Sequence, residues 1–344
     1  MKLVKLAIVG MGMIGRRHLD AIKKSAAAKL IAVVDPDEKV KEIAQRESVK
    51  YFSTIDKMLD KIVPEGIIVS TPTELHLIPT ILALEAGCHV LVEKPIAATL
   101  GDAKEIQEKA RVLNRFVLVG HHRRYYEVMQ NAKNIISSSV FGKLVGVNGQ
   151  WTTRKDENYF NLPWRKQSSS GPVLINLIHE IDLLRNVCGE ITKVKGFLKG
   201  EFRNHAKEDT AAIIMCFDNG ALGTFLLSDA TISPWNWENA TGENQNFPYI
   251  GQNPYRFLGS EGCLEFPNLK FWKSNGLPDW KHILECEDIQ QLKEDPYVKQ
   301  VFHFCRVINE LELPMIDASD GLKSLSICLQ ILSERKKMVN EFSN

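Results

Sequence analysis

From residue 5 to residue 120 the chain alternates short apolar runs with stretches whose apolar residues recur every three or four positions. The runs at 5–10 (KLAIVG), 29–35 (KLIAVVD), 66–71 (GIIVST), 89–93 (HVLVE) and 115–120 (RFVLVG) read as strands. They are rich in β-branched residues and apolar on both faces, which is the pattern of parallel strands covered on each side. The segments 13–27, 37–48, 74–87 and 99–114 carry helical spacing and supply the cover.

Beyond residue 140 the texture changes. Strand-like runs at 143–154, 190–202, 209–231 and 255–266 are joined by Asp218-Asn219-Gly220 and other glycine turns, as in antiparallel hairpins. One helical segment, 173–189 (VLINLIHEIDLLRNVCG), interrupts them, and 297–310 and 319–339 return to helix. The pattern predicts an α/β chain: a doubly wound parallel sheet over residues 1–122, then an α+β domain over 123–344 with a large, mostly antiparallel open sheet.

Composition narrows the class rather than the function. The 344 residues carry a formal net charge of +1, which gives no electrostatic reason to expect nucleic acid or an anionic membrane as partner. No apolar run approaches the ~20 residues of a membrane span, and the start, MKLVKLAIVGMG, lacks the features of a signal peptide. Seven cysteines are scattered without a C-x-x-C pair, so neither a disulfide framework nor a zinc site is expected and a reducing cytoplasm is. His121 and His122 have no nearby Cys or carboxylate to complete a metal set.

The first chemistry lies in KLAIVGMGMIGRRH. Gly10, Gly12 and Gly15 have the G-x-G-x-x-G spacing between a strand and a helix, with Met13 and Ile14 in the turn. Such a loop lets backbone approach a pyrophosphate and aims helix N–H groups at it. Asp35 ends the next strand 20 residues after Gly15, where a carboxylate bonds an adenosine ribose. A carboxylate there repels a 2′-phosphate, so NAD is expected over NADP, with Arg16 and Arg17 the two groups that could reverse the preference. Thr71 and Pro72, in STPTELH at a strand's carboxyl end, are expected to contact the cofactor, as is His76.

The run HVLVEKPIA ends an interior strand in Glu93, Lys94 and Pro95. Lys94 at that carboxyl end is placed to bond a substrate hydroxyl, and Glu93 and Lys94 are both expected to contact the cofactor. With GMGMIGRRH, VVD, STPTELH, VEKPIA and SGPVLINLIHEIDLL taken together, the chain resembles the Gfo/Idh/MocA oxidoreductases over nearly its whole length. The resemblance implies an N-terminal Rossmann domain and an NAD(P)-dependent dehydrogenase or reductase of sugars, polyols or related hydroxy compounds. It implies a homodimer or homotetramer formed through the C-terminal sheet, Lys94 as the catalytic lysine, and a Lys94–Pro95 bond that can be cis.

In 173–189, a turn of 100° per residue gathers Asn176, His179, Asp182 and Asn186 on one stripe with apolar edges, as in a cleft wall. By the resemblance His179 is the general acid/base on the substrate hydroxyl, a role its ordinary pKa near ~6.5 suits. Inositol dehydrogenase-like members carry Asp four residues before that histidine; here Ile175 stands there and Asn176 beside it. Arg123, in GHHRRYY, matches a family arginine and is expected at the substrate, with Asn176 and Trp235; Arg165 resembles a family element near the nicotinamide. Two other activities fit the same residues: an NAD-using glycosidase that oxidises transiently, and a non-catalytic NAD-binding regulator, against which Lys94 and His179 both argue.

Overall fold

The computed structural model describes residues 1–244, 246–290 and 295–342, without the side chains of 169 and 336–342. Two compact units emerge: residues 1–125 with 295–325, and 126–290 with 326–342 among the described residues.

The first unit is built on a six-stranded sheet of order β3-β2-β1-β4-β5-β6. Its strands are β1 (Val4–Val9), β2 (Ala28–Val34), β3 (Lys50–Phe52), β4 (Gly66–Val69), β5 (His89–Val92) and β6 (Val117–Val119), with every pairing parallel. The connecting helices are α1 (Met13–Lys24), α2 (Val40–Arg46), α3 (Ile55–Leu59), α4 (Leu77–Glu85) and α5 (Leu100–Val112). Strand order reverses between β1 and β4, and in such sheets the ligand crevice opens at the carboxyl ends beside that point. The three-residue edge strand β3 is too short and too polar to show as a run in the sequence.

The second unit holds an eight-stranded sheet of order β14-β13-β12-β11-β7-β10-β9-β8. These strands are β7 (Leu144–Thr152), β8 (Ile191–Lys199), β9 (Thr210–Phe217), β10 (Leu222–Ser228), β11 (Tyr255–Gly259), β12 (Gly262–Phe266), β13 (Lys270–Ser274) and β14 (Leu284–Asp288). Among the described residues only β7 and β10 run parallel in this sheet. Asp218-Asn219-Gly220 makes the β9–β10 turn, with Gly220 at φ +88° and the Asn219 side chain accepting from Ala221 N–H. Alternation gives each strand one buried and one outward face. Val147, Ile213 and Phe225 pack inward with Ile178, Ile181 and Leu184, while Phe197, Ile214 and Leu226 face out. The helices here are α6 (Glu127–Ile136), α7 (Ile178–Cys188) and the short α8 (Trp237–Thr241).

Helices α9 (Pro296–Ile308) and α10 (Ala318–Phe342) close the chain. The sequence reading leaves all of 123–344 in the second domain, whereas α9 packs in the first unit. Tyr297, Val301, Phe304 and Val307 fall on one helical stripe and join Leu6, Ile8, Leu30, Leu19 and Ile22 in a single core. Among the described residues no helix is long and apolar enough to cross a membrane.

Candidate active site

The glycine loop joins β1 to α1 with a division of labour among its glycines. Gly10 has φ +92°, and a Cβ there would lie 2.7 Å from the Ser70 and Thr71 backbone. A Cβ on Gly15 would sit 2.0 Å from the Gly10 carbonyl oxygen, so only glycine allows α1 to pack this closely on the turn. Around Gly12 such a Cβ meets nothing within 4 Å, which leaves a bare cradle at the start of α1. Among the described residues no side chain caps that helix, and no acidic residue occupies its first turn, so its N–H groups and partial positive charge remain for an anion. Met13 is exposed and Ile14 half-buried at its rim.

Asp35 braces this cradle. Its carboxylate accepts from Met11 N–H at 2.6 Å and from Asp37 N–H at 2.8 Å, one bond to each oxygen. Each oxygen keeps a second lone pair, so the brace does not use up the group's capacity for ribose hydroxyls. Of the two arginines that bear on cofactor choice, Arg17 is bonded to Asp295 at 2.9 Å and lies over the Tyr297 ring. Arg16 donates from Nε to the Met11 carbonyl.

The 70–76 turn and the end of β5 are tied by His76, whose ring nitrogens lie 2.9 Å from the Thr71 carbonyl and 2.8 Å from the Pro95 carbonyl. Burial lowers its pKa against the pull of both carbonyls, so at neutral pH the ring has one N–H to share between them. Thr71 donates its hydroxyl to the Leu75 carbonyl and Pro72 is exposed. The Lys94–Pro95 bond is cis.

Glu93 turns back into the unit. Its carboxylate is 2.7 Å from Nε2 of the fully buried His18 and also accepts from Lys94 N–H at 3.2 Å. Gly120 forms the wall, since a Cβ there would stand 2.8 Å from that carboxylate. Burial alone would raise its pKa. The bond from His18 and the charges of His18, His122 and Lys94 outweigh it and hold the group below the usual carboxylate range. Lys94 itself is half-buried, and Arg123 is 97% covered in the turn that follows β6.

In the second unit, the predicted helix 173–189 begins as a wide π turn, Val173–Leu177, before α7. Periodicity alone does not show that widening. Asn176 lies on the wide turn and His179 at the start of α7, both half-buried, with Asp182 buried further along the stripe. Asn176 Oδ1 accepts from Lys155 Nζ at 2.8 Å. Arg165 stacks its guanidinium 4.1 Å from the Tyr159 ring and donates to the Tyr159 carbonyl. Trp235 is 40% exposed, its carbonyl accepting from Thr152 N–H, while its neighbour Trp237 is core.

Comparison with known proteins adds the family. Residues 4–121 match the model described as oxidoreductase family, NAD-binding Rossmann fold, and residues 129–265 match the C-terminal domain model of the same Gfo/Idh/MocA group. The chain belongs to the Gfo/Idh/MocA family. It is 30% identical over 217 residues to 2,7-anhydro-N-acetylneuraminate hydratase of Mediterraneibacter gnavus, covering 61% of this chain and 57% of that one. It is 25% identical to scyllo-inositol 2-dehydrogenase (NAD(+)) of Bacillus subtilis, covering 94% and 92%. Matches to three of the curated relatives span only 57 to 63% of those proteins' own length. The fold is shared with the WlbA dehydrogenase of Bordetella pertussis, crystallised with NADH and UDP-GlcNAcA, at a TM-score of 0.77, 19% identity and 97% of each chain.

Reading the sequence alone misses several groups of this Gfo/Idh/MocA chain. His18 had a signal, because it shares the buried face of α1 with Gly15, Leu19 and Ile22, where a histidine needs a partner. Lys155 had none. It belongs to a buried cluster in which Asp229 takes Lys207 at 2.9 Å, Arg203 at 3.0 Å and Lys155 at 3.6 Å. Those residues lie up to 74 positions apart, and only the fold joins them.

Proposed function

We propose that this protein is an NAD-dependent dehydrogenase or reductase that moves hydride between nicotinamide and a hydroxyl-bearing carbon of a sugar, cyclic polyol or related hydroxy acid. The observation that carries the reading is the joint between cofactor cradle and lysine: His18 of α1 holds Glu93, and Glu93 fixes the backbone of Lys94. Bound NAD would supply the hydride acceptor and, when reduced, the donor. Gly10, Gly12, Met13 and Ile14 would cradle its pyrophosphate, and Asp35 its adenosine ribose. Thr71, Pro72, His76, Glu93 and Arg165 would line or brace the nicotinamide end. Asp35, with Asp37 and Glu38 after it, favours NAD over NADP.

Lys94 Nζ bonds the substrate oxygen and stabilises negative charge as its proton leaves. His179 takes that proton in oxidation and returns it in reduction. Arg123, Asn176 and Trp235 hold the remaining oxygens and ring face of the substrate. The NAD-linked inositol relative supports this reading. The outward apolar residues Phe197, Ile214 and Leu226 support a homodimer or homotetramer through the second sheet. The scattered cysteines support a cytoplasmic setting.

The deciding experiment follows NADH absorbance with NAD and a panel of aldoses, uronic acids, inositols and cyclic hydroxy acids. NADH formation with one class, abolished by Lys94→Ala and by His179→Ala, is the expected result. The hydratase relatives favour one further reading, in which a transient oxidation activates the substrate for elimination or addition and the hydride then returns. In that case absorbance stays flat while solvent deuterium enters recovered substrate. Silence in both assays despite NAD binding would refute catalysis and leave a regulator.

A further inference from the structure

Lys155 follows β7 and is nearly enclosed. Its ammonium lies 4.9 Å from the centre of the Tyr159 ring and 5.6 Å from that of Trp151, and 3.6 Å from Asp229. Burial lowers its pKa to about 8 against the pull of Asp229, so it still carries its charge at pH 7. Its hydrogen bond to Asn176 settles which way that amide faces. An ammonium can only donate, so the atom 2.8 Å from it is the oxygen, and the NH2 group is turned away from Lys155. Among the described residues no acceptor meets that NH2 group, although Asn176 is half-buried and sits on a π turn, a feature recurrent at functional sites. A cation on the amide oxygen also draws electron density from the nitrogen, which strengthens its N–H groups as donors.

We propose that Lys155 is a positioning residue that fixes Asn176 as a donor and thereby selects a substrate carrying a carboxylate, a sugar acid, over a neutral sugar or polyol. The inference rests on the preceding reading that Asn176 meets the substrate. Aspartate at this position would pair with Lys155 as an ion and offer its other oxygen, an acceptor suited to a hydroxyl. The preference comes from donor geometry rather than a bare charge, because the Lys155 ammonium is already paired with Asp229, which also takes Lys207 and Arg203, and Glu157 takes Arg203 a second time. A charge-assisted bond to a carboxylate is roughly twice as strong as a neutral one to a hydroxyl.

The test titrates the full chain, saturated with NADH, with D-glucuronate and D-galacturonate against D-glucose and D-galactose in a calorimeter. The uronates should bind about tenfold tighter or better, a difference of about 1.4 kcal/mol. Lys155→Met should erase the preference, Lys155→Arg should keep most of it, and Asn176→Asp should reverse it. Equal binding, tighter binding of the aldoses, or no binding of either uronate overturns the proposal, as does full preference retained in Lys155→Met. Should Lys155→Met fail to fold, the half-buried Asn176→Asp exchange still decides. The NADH panel judges the dehydrogenase separately. Turnover of aldoses alone sinks this proposal and spares that reading, whereas uronate binding with no NADH formed does the opposite.

Discussion

Two alanine substitutions in the glycine loop should separate cofactor affinity from fold. At Gly12 a Cβ meets no atom within 4 Å, and φ −65°, ψ −162° is extended backbone open to any residue. Gly12→Ala should therefore leave the cofactor-free protein as stable as before, or more so by up to about 1 kcal/mol through the unfolded chain. The methyl nevertheless fills the space through which, on the proposed reading, a pyrophosphate would reach the first N–H groups of α1. Loss of one such charge-assisted bond, about 1.5–3 kcal/mol, raises the Kd for NAD about 10- to 100-fold. At Gly15 the same methyl would stand 2.0 Å from the Gly10 carbonyl oxygen, a full ångström inside the 3.0 Å that Cβ contacts essentially never breach. Both partners are backbone, so the loop must move, at about 1–3 kcal/mol, or about 2–12 °C in Tm for a unit of this size. Thermal melts without NAD and calorimetric titration with it read the two effects apart. The reasoning is refuted if Gly12→Ala binds NAD within about twofold of the parent, or melts as early as Gly15→Ala.

Asp35→Ala should loosen the glycine loop by one hydrogen bond, that from Met11 N–H, open the turn at Asp37 by another, and cut the preference for NAD over NADP about tenfold or more, measured as the ratio of the two Kd values. Glu93 has a folded-state pKa held below its unfolded value, so its contribution to stability is complete above about pH 4.3 and is lost as pH falls through the folded value. Glu93→Gln should flatten the acid limb of a stability–pH profile followed by urea unfolding. Asp229→Asn strands three cations that this buried carboxylate serves and should cost about 3–5 kcal/mol. Glu157→Gln, whose carboxylate is 73% exposed, should cost less than about 1 kcal/mol in the same urea titration.

What was legible in the sequence is what repeats or sits close along the chain. Alternating apolar runs place β1, β2, β4, β5 and β6, and Asp218-Asn219-Gly220 marks the β9–β10 hairpin, because each signal lies within a few residues of its cause. The strand ends likewise announce where 70–72 and 93–95 leave the sheet, since the carboxyl end of a parallel strand fixes where the next side chains emerge. Helix α9 was legible as a helix but not as part of the first unit. Its stripe of Tyr297, Val301, Phe304 and Val307 states that it needs an apolar partner and does not say which sheet provides it. The Lys155–Asn176 contact was hidden for the same reason, as nothing in either residue's neighbourhood names the other. The π turn was hidden too, because one residue of widening leaves the apolar periodicity of 173–189 almost unchanged.

The pair Glu93 and Lys94 shows why an interior strand ends in charge. A buried carboxylate is tolerable only with a partner, and the partner here, His18, stands one turn along α1 from Gly15. The helix that follows the glycine loop is therefore pinned, through its inward face, to the strand that ends in Lys94. Glu93 supplies both ends of that pin, one oxygen to the His18 ring and the other to the Lys94 N–H. Movement of the glycine loop and movement of the lysine backbone cannot then be independent. Substitution at His18, which touches no reacting atom, should disturb NAD affinity and hydride transfer together rather than either alone.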